Sequence, residues 1–217
     1  MQKLTRESQS YRDRLQRAKS WLQKAQTLSA NQEEHVDHNA LLVFLWIALS
    51  ALYSREKSVS ESDPGDFSNF IVHLCKLDHQ RRLRTALSTV KPAADRLLRD
   101  KFLCDLYWIE GTSSRVLELL DKDARTAQLA WTKGDQALYL QLLFRRLRVL
   151  RNQIFHGCST DRRSLNRNSL IPAVAVLRAV IPGLILVFEQ CGQNEKWPLV
   201  AYPRDGSPLN PDSQIAD

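Results

Sequence analysis

Apolar side chains recur three and four positions apart through most of this chain, the spacing that lines them along one face of an α-helix. Leu15, Ala18, Trp21, Leu22, Ala25 and Leu28 do so on a charged background. That predicts an amphipathic helix over residues 5–28 with a solvated charged face. A second helix is expected to take Asn31 as N-cap, carry Glu33 and Glu34 in its first turn, and run through the apolar block from Leu41 to Leu49 as far as Tyr53. Apolar all round, it belongs at the centre. Residues 54–66 include Ser62-Asp63-Pro64-Gly65, a turn signal, and read as an exposed loop before a helix over 67–77. Residues 78–100 are arginine-rich and interrupted by Pro92, which predicts short helices. A helix over 114–132 should close at Lys133-Gly134, where glycine accepts the left-handed C-terminal conformation. Asp135 then caps a helix that runs to Phe155 and stops at Gly157. The last helix spans 170–191, with Pro182 expected to bend it. Past Gly192, four prolines in polar sequence predict an extended or partly disordered tail over 193–217, with short strand character confined to 199–202. No internal repeat, Gly-rich phosphate loop or nucleophile elbow interrupts this pattern. The fold class is therefore all-α: an N-terminal helix (1–30) packing on a helical bundle (31–192), then the tail.

Composition narrows the setting. With 217 residues, 43% of them hydrophobic, one domain can bury its core without disulfides or metals. Cys75, Cys104, Cys158 and Cys191 are scattered, with no CxxC pair and no histidine at ligand spacing, so neither a zinc site nor a disulfide framework is expected. A reducing cytoplasm fits. The first twenty residues are polar and charged, unlike a secretory signal. The longest apolar run, 171–188, carries Arg178 in its middle and Pro172 and Pro182 along it, which favours a buried helix over a membrane span. A formal charge of +7 points to polyanionic partners without saying which.

The helix from Asp135 to His156 carries the strongest chemical signal. Leu140, Leu143, Leu147, Leu150 and Ile154 form its core stripe, while Arg145, Asn152 and His156 cluster on the opposite side at 100° per residue, with Arg148 nearby and Arg151 at the core edge. Arginines 145, 146, 148, 151, 162, 163 and 167 face a single acid, Asp161, in the same stretch. Guanidinium groups bind phosphate bidentately and an imidazole exchanges a proton near neutral pH. The combination suits RNA cleavage: histidine takes the proton of a ribose 2′-hydroxyl while arginine stabilises the charge of the five-coordinate phosphorus. The RNA-binding set is then Arg145, Arg148, Arg162, Arg163 and Arg167.

The run Arg151-Asn152-Gln153-Ile154-Phe155-His156 resembles the Arg-polar-x-x-x-His motif of HEPN domains, and residues 44–53 are similar to an early helix of several HEPN families. The resemblance spans about residues 33–190. It implies an up-and-down helical bundle and metal-independent endoribonuclease activity without a cofactor. It also implies a homodimer in which the motif helices of two protomers meet, forming a composite site with two arginines and two histidines. Arg151 and His156 diverge by about 140° on one helix, so a symmetric partner can bring one protomer's arginine toward the other's histidine. In these roles Arg151, Asn152 and His156 are catalytic, and RNA is the substrate. A toxin, antiphage or stress-response setting, with an inhibitor or effector protein as partner, follows from the same resemblance. Some HEPN domains serve only as adaptors that bind nucleic acid or protein, which is the alternative. HEPN toxins silenced by nucleotidylation carry a tyrosine two residues past the histidine; this chain has Cys158 there.

Other clusters read as structural. His35 and His38 lack the spacing of the common zinc helix and fit a solvated first turn. His73 and His79 have no recognisable partners. Arg81, Arg82 and Arg84 read as a solvated face, with extension of an RNA track from the site as the alternative, and the tryptophans as core before base-stacking platforms.

Overall fold

The computed structural model describes residues 6–30, 36–55, 63–157 and 164–200. They form α1 (Arg6–Ala30), α2 (His38–Tyr53), α3 (Asp63–Leu77), α4 (Arg82–Thr89), α5 (Lys91–Leu98), a 3-10 turn (Lys101–Leu103), α6 (Tyr107–Glu110), α7 (Ser114–Lys133), α8 (Gln136–Phe155) and α9 (Ser164–Cys191). No strand occurs among the described residues, and the chain is all-α.

Local chemistry sets several boundaries where the sequence places them. Ser113 accepts from Val116 N–H at 3.2 Å to open α7, and Gly134, at φ 78°, closes it. Asp135 accepts from Leu138 N–H at 3.0 Å to open α8. The short helices expected over 78–100 are α4 and α5, with Pro92 in the first turn of α5, where its missing N–H costs nothing.

Three boundaries differ from expectation. Helix α2 opens at His38, because Asp37 accepts from Ala40 N–H at 3.0 Å. The expected cap, Asn31, and Glu33, Glu34 and His35 lie outside the described residues. Helix α3 starts at Asp63 rather than Phe67. The Asp-Pro-Gly signal opens a helix, since proline is as well suited to a first turn as to a loop. Helix α9 begins at Ser164 and continues through both Pro172 and Pro182.

Helix α9 is the hub, packing against α1, α2, α3, α4, α5 and α8. It is the one described helix long and apolar enough to cross a membrane, but 56% of that window is buried inside the bundle. Arg178 lies on its exposed side. Helix α1 lies across α2 and α9, burying Ala18 and Ala25 as its stripe predicts. Its charged face is not wholly solvated, however: Asp13 and Arg14 are buried. The Arg14 guanidinium donates to the carbonyls of Leu52 (2.8 Å), Pro198 (2.7 Å) and Leu199 (3.3 Å). Burial, with the charge of Arg17 second, lowers its pKa to about 10. Residues 193–200 are thereby part of the packed body. Trp197 packs at a tilt against Phe70 and Phe188, and its indole donates to Gly192 O at 2.7 Å. His73 meets the edge of the same indole and faces Glu195 Oε2 at 2.9 Å. The remainder of the expected tail, 201–217, lies outside the described residues.

Candidate functional site on helix α8

Helix α8 divides into two faces. Tyr139, Leu140, Leu143, Leu147 and Leu150 are buried toward the core. On the adjoining side, Gln141, buried Phe144, Arg145, Arg148, Arg151, Asn152 and Phe155 fall within one arc at 100° per residue. This arc looks onto Trp46 of α2 and Phe67 of α3.

The motif residues sit at its C-terminal end. Arg151 is half-buried: its guanidinium lies over Phe155 at 4.7 Å and Trp46 at 5.8 Å, and Nη1 donates to Asn152 Oδ1 at 3.0 Å. Its Nε is buried with no hydrogen-bond partner among the described residues. His156 is exposed and forms the C-cap, its backbone N–H donating to Asn152 O at 3.0 Å; Gly157, at φ 66°, turns the chain away. Arg151 and Asn152 are thus brought together directly, whereas the bond from His156 to Asn152 is the ordinary helical backbone bond, and the His156 side chain starts about 140° round the helix from Arg151. Gln153 anchors the end of the helix by donating to Phe102 O at 2.9 Å.

The arginines of this helix divide into two groups. Asp123 of α7 takes Arg146 at 2.6 Å and also pairs with Arg145. Arg146 is buried and structural, which the charge tally alone does not distinguish, because its acid lies on another helix. Arg145, named as an RNA contact, is half-exposed but already ion-paired. Arg148 and Arg151, by contrast, have no carboxylate partner among the described residues. Arg162 and Arg163 lie outside the described residues, as do Cys158 and the side chain of Arg167. Other basic residues are accounted for structurally: Arg84 stacks on Trp131 at 4.2 Å and donates to its carbonyl at 2.9 Å, and Arg81 adopts φ 53° where Asp78 caps α4. Two tryptophans depart from the core reading: Trp108 is 53% exposed and Trp21 37%.

Compared with protein-family models, curated proteins and solved structures, the chain finds no match.

Proposed function

We propose that the chain is a metal-independent endoribonuclease of HEPN type, acting as a cytoplasmic homodimer. The observation that carries this reading is the pair Arg148 and Arg151, one turn apart on one helix face, without carboxylate partners among the described residues, leading to exposed His156. A cationic strip ending in an imidazole suits a phosphodiester. His156 accepts the 2′-hydroxyl proton as the 2′-oxygen bonds to phosphorus. Arg151 stabilises the added negative charge, and Asn152 holds the guanidinium in place. The bond from phosphorus to the 5′-oxygen breaks, and that oxygen takes a proton from an imidazolium. The products are a 2′,3′-cyclic phosphate and a 5′-hydroxyl. The setting is a toxin, antiphage or stress response, with a protein inhibitor or effector as the regulating partner.

The adaptor alternative is favoured by one feature: the Arg151 guanidinium is folded against Phe155 and Trp46 rather than projecting freely. End-group analysis of RNA incubated with the protein in EDTA tests the enzymatic reading. Fragments ending in 2′,3′-cyclic phosphate are expected; 3′-hydroxyl ends, or intact RNA, contradict it.

A further inference from the structure

The α8 face that ends in the motif begins in a cavity. Gln141, Phe144, Arg145 and Arg148 form one wall, Trp46 and Tyr53 of α2 and Phe67 and Ser68 of α3 the others, around about 180 Å³. Its aromatic rings support one another: Phe67 and Phe144 are 4.9 Å apart between centroids, Tyr53 and Phe67 5.3 Å, Trp46 and Phe144 6.3 Å. An apolar cavity of about 150 Å³ is enough to take benzene, so this space admits one flat ring system. It also has polar features. The Gln141 amide nitrogen donates to Ser68 Oγ at 2.5 Å, which orients the amide within the lining. Arg148, without a carboxylate partner among the described residues, is part of the lining.

Aromatic walls, an oriented amide and a cation without a carboxylate partner among the described residues match one ligand chemistry: a planar heterocycle with a hydrogen-bonding edge, attached to a phosphate. An apolar peptide side chain would use the rings and waste the arginine; a phosphate alone would do the reverse. Trp46 joins this cavity to the motif, since it lines the one and lies beneath the Arg151 guanidinium. Arg148 and Asn152 are separated by about 6 Å of helical rise.

We propose that the cavity receives one unstacked nucleobase of a single-stranded RNA, with Arg148 on an adjoining phosphate, so that the strand runs along α8 toward Arg151 and His156. This deepens the ribonuclease reading and rests on its choice of RNA as ligand.

The test uses the His156→Ala protein, which leaves the strand uncut, and a fluorescently labelled single-stranded RNA ten-mer beside the same ten-mer made without bases. Anisotropy should show the natural strand binding at least about tenfold tighter, as expected for base stacking on aromatic side chains. Adding Ser68→Leu, which fills the cavity, should remove that preference while leaving the baseless strand's affinity unchanged. Gln141→Leu, which removes the amide that would meet the base edge, should reduce the preference and serves as the second variant if Ser68→Leu fails to fold, folding being judged by thermal melting. Arg148→Ala should weaken both strands. A folded, cavity-filled protein that still prefers the natural strand overturns the proposal, as does equal binding of the two strands at the outset. If base preference depends on the cavity but the wild type cuts no RNA, the ribonuclease reading fails and the pocket stands. If cleavage depends on Arg151 and His156 but cavity filling changes neither binding nor cleavage, the pocket fails alone.

Discussion

Asp123 holds two arginines with one carboxylate, and the two are not equivalent. Arg146 is 3% exposed and among the described residues has only the Leu103 carbonyl, at 3.4 Å, as a further partner, whereas Arg145 is open to solvent. Replacing Asp123 by alanine strands a buried guanidinium, which costs about 3–5 kcal/mol, while Arg145→Ala should cost less than about 1 kcal/mol. Urea unfolding of the two variants should show this gap, and equal losses would contradict the assignment. At Cys75, burial, with Asp78 second, pushes the thiol up to about 12 from 9.0. The sign follows from the acid being harder to ionise when folded: its contribution to stability is complete below pH 9 and is lost as pH rises toward 12. At pH 8 the thiolate fraction falls from about 10⁻¹ to about 10⁻⁴. Iodoacetamide should therefore modify Cys75 about a thousandfold more slowly in the native protein than in denaturant, as read by mass spectrometry. Such residues are the least legible in sequence. Arg14 and Arg146 read as solvated charges because the carbonyls and carboxylate that satisfy them lie at least 23 positions away in the chain.

Between elements, legibility follows the range of the interaction. The junction of α7 and α8 is written in neighbouring residues, Gly134 and Asp135, and the sequence places it correctly. The start of α3 is not, because Asp-Pro-Gly both breaks and opens helices. The outward arc of α8 is legible from periodicity, but the cavity on it needs side chains from three helices. The junction after α9 shows the same dependence on distant partners. A Cβ on Gly192 would lie 2.5 Å from Phe188 O and 3.2 Å from Trp197 Cζ2, whereas one on Gly183 would meet Leu83 Cδ2 at 3.4 Å and Ala86 Cβ at 3.7 Å, close to ordinary contact. Gly192→Ala should cost about 1–3 kcal/mol through overpacking. Gly183→Ala should stay within about 1 kcal/mol of wild type, since helix propensity favours the change. Thermal melts of the two variants check the order; a reversed order would mean that Trp197 does not seat where the structure places it.

At the scale of the molecule, α9 organises the bundle so that α8 turns one side to the core and the other to α2 and α3. That second side carries Arg148 and Arg151, without carboxylate partners among the described residues, while exposed His156 closes the same helix further round its axis. The all-α class follows from periodicity alone, as the sequence indicates. The dimer and the chemistry rest on the motif's resemblance and on this surface. Arg151 and His156 point about 140° apart on a single helix, so the account requires two copies for a complete site. The decisive measurement is RNA cleavage in EDTA by wild type, by Arg151→Ala, by His156→Ala, and by an equimolar mixture of the two variants refolded together, with oligomeric state checked for each. Wild type should cut, and each variant alone should lose at least about a hundredfold in rate. The mixture should regain part of the activity, because mixed dimers pair the intact arginine of one protomer with the intact histidine of the other. Intact RNA with wild-type dimers, or variants that cut as well as wild type, would contradict the ribonuclease reading; a mixture no more active than its components would contradict the shared site.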